Sequence, residues 1–345
     1  MRYQISSRVV SGLVGSFITA LLWGQTPQTA APKLSPLADE EQWFAAISLC
    51  QSSAWRKDPA LLPKIEALFQ YRFNARAQHG VTVDALVAIG RIGGSEALAL
   101  LERLETIFHK PYFLSGAYYR EHYLPVMKAR IQADLAFPQV RNSEQWHQKV
   151  ERFLQEAELT REALQEALHK HPQRGDPMVY PSRGVVAVRV LLELASEAYA
   201  GGVKEALKFF EGLPLERDYP SWLRYQLAPL EVKQRVRWLI GSLTSKPAMR
   251  FVDHYELLAL WQCGLVALPE ILAKIEELSK LKPKDEEEIV RVNIGLANML
   301  EVLAGYEDPR VEPILERFAQ ADWFEAEQLL RWRRQGLRGI LIFDW

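Results

Sequence analysis

The sequence is poor in cysteine and carries no charge excess of one sign, and each shortage closes off a class of protein. Two cysteines in 345 residues cannot make a disulfide scaffold. Neither Cys50 nor Cys263 stands in a CxxC pair or beside a conspicuous histidine partner, so thiol-metal and redox motifs are missing. A net charge of -1 provides no basic field for nucleic acid. The stretch 9–23 (VVSGLVGSFITALLW) is uncharged but only 15 residues long, against the roughly 20 a helix needs to cross a bilayer core. There is no GxxxxGK[ST], no GxGxxG after a strand, no GxSxG and no HExxH. Those gaps weigh against nucleotide hydrolysis, Rossmann cofactors, α/β-hydrolase chemistry and zinc proteolysis. No alternating β-branched run is long enough to found a sheet; residues 340–343 (ILIF) are the one strand-like piece.

What remains is ordinary for a globular chain: 48% hydrophobic and 25% charged residues. The first thirty residues are less ordinary. Arg2 and Arg8 precede the apolar stretch, and a polar, small-residue segment (QTPQTAA, 25–31) follows it. That order is the layout of a secretory signal peptide, so residues 1–31 are expected to be a signal peptide or an uncleaved anchor. The chain is then expected in the periplasm or outside the cell, with membrane association only if the segment is retained.

From Asp39 onward the pattern is helix after helix. Asp58-Pro59 and Asp308-Pro309 place a capping residue before a proline at the first helical position. Asp285 with Glu288, Asp322 with Glu325 and Asp253 with Glu256 have capping-box spacing. Between such starts apolar residues recur at three and four, as in Val232, Val236, Leu239 and Ile240.

The stretch 84–104 (DALVAIGRIGGSEALALLERL) reads as a helix, a glycine turn and a second helix. Echoes turn at Gly201-Gly202, Gly264 and Gly305, the last ending ILERF (314–318) against LLERL (100–104). This unit resembles HEAT-like repeats, particularly the short type seen in phycobilin lyases and bacterial scaffold proteins. The resemblance implies an all-α chain: an irregular right-handed α-solenoid of antiparallel helix pairs over 32–345, with an α/α toroid as the alternative. In an extended array the two cysteines lie toward opposite ends, beyond bridging distance. Two proline-containing stretches, 170–183 and 212–229, are expected to be long connections and possible subdivision points.

Candidate contact residues fall in three places. The segment 109–123 (HKPYFLSGAYYREHY) offers Tyr112, Tyr119 and His122, residue types that stack on sugars or move protons; a tyrosine-rich packing seam accounts for it equally. The two breaks contribute Asp176, Tyr180 and Trp222 as partner contacts. The basic run 331–334 (RWRR) offers Arg331 and Trp332 to a glycan or an anionic envelope component, though a cationic last helical turn explains several of those charges. Ten tryptophans hint at a ligand, but core packing is the plainer account. His169 and His171 lack a third ligand, so no metal and no cofactor is expected. The function these observations favour is a non-catalytic protein-interaction or scaffold module in the cell envelope. The alternative is an all-α envelope enzyme acting on polysaccharide, as a lyase or glycosidase.

Overall fold

The computed structural model describes residues 40–71, 75–110, 113, 115–170, 181–215, 225–245 and 254–337. The expected all-helical class is what it shows: fifteen α-helices, three 3-10 turns and no strand among the described residues. In chain order the helices are α1 (Glu40–Arg56), α2 (Leu62–Leu68), α3 (Ala75–Ile92), α4 (Gly94–Phe108), α5 (Gly116–His122), α6 (Leu124–Ala136), α7 (Ser143–Glu156) and α8 (Arg161–Lys170). They continue as α9 (Arg183–Ala200), α10 (Val232–Ser245), α11 (His254–Gln262), α12 (Leu268–Lys280), α13 (Glu286–Ala304), α14 (Val311–Gln320) and α15 (Phe324–Arg334).

Side-chain capping explains some of the starts. Asp58 accepts from the Ala60 amide at 3.0 Å, and Asp285 accepts from the Glu288 amide at 2.8 Å. Glu288 reaches back to the Lys284 amide at 2.9 Å, so two orphan donors at the head of α13 are satisfied together. The expected box at Asp322 is displaced. Asp322 adopts a left-handed φ of 57°, and the α15 cap position falls to Trp323, whose side chain makes no capping bond. The box at Asp253 lies outside the described residues.

Burial sorts the helices into two kinds. Residues 46–55 of α1, 184–196 of α9 apart from Arg189, 255–260 of α11 and 295–304 of α13 are buried without interruption. A helix covered on every face must have neighbours all round, so these are interior elements. Helices α4, α7, α12 and α14 instead bury one stripe each. On α7 the stripe is Trp146, Lys149, Val150 and Phe153; on α12 it is Leu268, Ile271, Ile275 and Leu278. Interior and stripe-burying helices largely alternate along the chain, which is what stacked helix pairs require.

The 84–104 unit folds as read: α3 ends at Ile92 and α4 begins at Gly94. Gly93 and Gly94 have φ of 71° and 82°, a region that L side chains seldom enter. Gly90 makes room for a later helix. A Cβ there would sit 2.6 Å from Met127 Sδ, so the small residue admits the following α6 rather than the paired α4. Gly305 closes α13 in a turn, as expected, and also marks a close approach, since a Cβ would meet the Trp261 ring at 2.7 Å.

Described helices far apart in sequence meet. Trp55 on α1 and Trp261 on α11 meet edge to face with centroids 5.2 Å apart, and Arg56 reaches within 3.8 Å of where a Gly336 Cβ would stand. Cys50 and Cys263 therefore lie on helices that touch, not at opposite ends of an extended array. Both thiols are free, Cys50 buried and Cys263 partly so. The described tryptophans follow the packing account: Trp55, Trp146 and Trp332 are core, and Trp43, Trp238, Trp261 and Trp323 pack against it.

Candidate functional site

Two sequence segments that were separate candidates meet in space. Helix α5 presents Tyr118 and His122, four residues apart and so on one face, to the start of α9. Tyr118 Oη donates to the Pro181 carbonyl at 2.8 Å, His122 Nδ1 accepts from the Arg183 amide at 3.2 Å, and Arg183 Nε donates to the Glu121 carbonyl at 2.7 Å. Tyr119, one residue on, turns inward, where its hydroxyl and His79 Nδ1 lie 3.0 Å apart. The two rings stack at 5.8 Å with 22° between planes. Phe108 and Phe113 close the other side of Tyr119, at 5.5 and 6.2 Å.

The chemistry of this junction is neutral. Burial lowers the His79 pKa and lowers that of His122, with Glu121 opposing and Arg183 adding to the effect. Burial also holds the Tyr118 hydroxyl well above its usual range. His79 and Tyr119 have the types for proton transfer, but Tyr119 is 1% exposed. A hydroxyl so enclosed is an anchor for α3 against α5 before it is a reagent. Tyr112, Asp176, Tyr180 and Trp222 lie outside the described residues.

A charged cluster that sequence reasoning passed over sits deeper. Glu193 on α9 receives Arg91 from α3 through Nε at 2.9 Å and through Nη2, and Arg130 from α6 at 2.6 Å. Burial pushes the Glu193 carboxyl upward, but the two guanidiniums outweigh it and hold the pKa at about 2. One turn along, Glu197 takes Lys57 at 3.0 Å and Arg130 at 3.5 Å. Asp134 takes Lys149 at 2.5 Å. The signal was present: Arg189, Glu193 and Glu197 recur every four residues in an otherwise apolar helix.

The basic run at the end of α15 is spent internally. Arg333 donates to the carbonyls of Ala304 at 3.2 Å and Tyr306 at 2.7 Å, closing the C-terminus of α13. Arg334 pairs with Glu312 and Glu316, Arg331 pairs with Glu327, and Trp332 is buried. Among the described residues no three His, Cys, Asp or Glu are grouped to hold a metal ion.

An apolar surface stands out by contrast. Leu227, Leu230, Leu265 and Val266 are 74, 42, 59 and 51% exposed. Beside the second of them, Arg235 donates to the Leu230 carbonyl at 3.1 Å and to the Tyr199 and Ala200 carbonyls at 3.3 and 2.8 Å. No pattern rule would have exposed these leucines, because the same residue type fills the core. Compared with known protein families, with curated proteins and with solved structures, the chain matches none.

Proposed function

We propose that the chain is an exported helical-repeat protein acting as a protein-interaction or scaffold module in the cell envelope, without catalysis of its own. The observation that carries this reading is the apolar surface around Leu227, Leu230, Leu265 and Val266. Single exposed leucines need no explanation, but four large apolar side chains exposed within two short stretches, 227–230 and 265–266, are the kind of surface a protein partner covers. The aromatic and basic candidates support it from the other direction, since Tyr119, His122, Arg331 and Trp332 are engaged with the chain itself. The partner is a protein presenting an apolar segment, and the stretch bearing Asp176 and Tyr180 is a second contact.

The architecture we favour is an irregular right-handed solenoid of HEAT-like pairs. The alternative toroid gains support from one feature, the approach of α1 to α11 and to Gly336. A glycan-processing role would place its chemistry at His79 and Tyr119, and the near-complete burial of Tyr119 weighs against it. Export rests on the order of regions in residues 1–31; among the described residues no single helix is long and apolar enough to cross a membrane.

The test is crosslinking of the full chain in fractionated cells, comparing wild type with Leu227→Asp/Leu265→Asp and with Leu135→Asp, a lone exposed leucine on α6. A defined crosslinked partner in the envelope fraction, lost only in the double variant, is expected. Equal crosslinking in all three would remove the surface assignment. Recovery of the chain in the cytosol with Met1 intact would remove the export claim.

A further inference from the structure

Helices α5 and α9 trade caps where they meet, and one of the caps is a histidine. The Arg183 amide is the first of α9 and has no carbonyl of its own helix to reach. Ser182 holds the cap position, but its side chain makes no capping bond. His122 supplies one from across the junction, its Nδ1 accepting from the Arg183 amide at 3.2 Å. In return Arg183 Nε donates to the Glu121 carbonyl, in the last turn of α5, at 2.7 Å. A main-chain amide can only donate, and this fixes the tautomer: the lone pair is on Nδ1 and the ring proton on Nε2. A second proton therefore has one place to go, the atom that is already accepting. Protonation would set two N–H groups head to head. It would also add a cation beside the Arg183 guanidinium and the positive end of α9.

The groups around the ring do not offset that conflict. On α5, Tyr118 packs against His122 with centroids 4.8 Å apart, and Glu121 Oε2 lies 3.9 Å from Nε2. Beyond Tyr118 stands His79 of α3, whose own pKa burial lowers. Lys128 of α6 is turned to Glu105 of α4 at 2.6 Å. Glu158, in the turn after α7, reaches Arg183 Nη1 at 3.6 Å. Burial, opposed by Glu121 and aided by Arg183, holds the His122 pKa below the ordinary histidine value. The side chain is 23% exposed, so a proton can reach it without the core opening.

We propose that His122 is an acid release for the start of α9: neutral, it caps the Arg183 amide and holds α9 to α5; protonated, it gives up that amide and the first turn of α9 comes away from α5. The switch goes beyond the interaction role and does not depend on it. The sign follows from proton counting. Once the junction parts, the ring regains the ordinary pKa of about 6.5 and takes up a proton that the closed form refuses. Closure is therefore at full strength above about pH 6.5. It weakens as pH falls below that value, by up to about tenfold per unit, and levels off once the closed form is itself protonated.

The experiment is hydrogen exchange of the first amides of α9 in the full chain from about pH 7.5 to about pH 5, with wild type beside His122→Asn. Asparagine offers Oδ1 near the place of Nδ1 and does not titrate. Intrinsic exchange chemistry is common to both proteins at each pH, so the ratio of their rates isolates the ring. Wild type should gain on His122→Asn progressively as pH falls below about 6.5, while the ratio for amides of α13 stays level. A ratio at the start of α9 that is flat with pH overturns the proposal. Should His122→Asn fail to fold, the nitrogen-15 shifts of the wild-type His122 ring decide. An Nδ1 without a proton at pH 7.5, whose protonation is accompanied by faster exchange once the intrinsic rate is divided out, supports the release. An Nδ1 already protonated at pH 7.5, or protonation without faster exchange, overturns it.

Discussion

The two halves of the molecule use the same residue, arginine, to do opposite electrostatic work. In the amino-terminal half, from α1 to α9, buried guanidiniums meet carboxylates: Arg91 and Arg130 share Glu193, and Arg130 reaches Glu197. In the carboxy-terminal half arginine and tyrosine donors meet main-chain carbonyls, although a buried carboxylate occurs there too, Glu256, which accepts from Ser242 Oγ at 2.9 Å. Arg235 holds the ends of α9 and the turn at Leu230, Arg333 holds the end of α13, and Tyr306 Oη donates to Leu260 and Trp261. Asn298 donates to the Leu243 carbonyl at 3.0 Å. A carboxylate can be protonated away; a carbonyl cannot. The first arrangement binds three helices strongly but makes them answerable to pH, whereas the second fixes helix ends by their dipoles and is indifferent to it.

The difference can be broken from either side. Glu193→Gln should have the largest effect, about 3–5 kcal/mol by denaturant unfolding at pH 7, because two buried guanidiniums would lose their shared anion. That contribution has a definite pH sense. The native Glu193 pKa is depressed, so its stabilisation is full above the ordinary glutamate range and fades as pH falls toward about 2. Arg235→Met should cost less, about 2–3 kcal/mol, since neutral carbonyls rather than a charge are left without donors. Its cost should be the same at pH 3 and pH 7, across the range where the Glu193 contribution fades. An Arg235→Met penalty that tracked pH as Glu193→Gln does would collapse the distinction.

How much of this was legible beforehand depends on what each feature rests upon. The helices were, because their causes are local: Asp285 and Glu288 cap α13 within four residues of each other, and the Gly93-Gly94 turn is demanded by backbone angle alone. The start of α15 slipped by one residue because Asp322 entered the left-handed region. Partners between helices were not legible. Nothing in the 84–104 stretch tells that Gly90 stands against Met127 of α6. Glu193 stood in plain view on an apolar helix, yet nothing local names Arg91 and Arg130, 102 and 63 positions away, as its partners. Among the site residues, Tyr119 and His122 were chosen for their chemistry, and the fold uses them for packing and for holding the start of α9. The apolar surface escaped notice because exposure is a property of the assembled chain, not of a leucine.

The most direct test of the division is native-state hydrogen exchange on Glu193→Gln, resolved helix by helix. The account predicts that amides of α3, α6 and α9 lose protection together, while α13 and α15, tied by Arg333 and Tyr306, keep theirs. Uniform loss across all fifteen helices would contradict it, for it would mean that the charged cluster holds the whole molecule and not its first half.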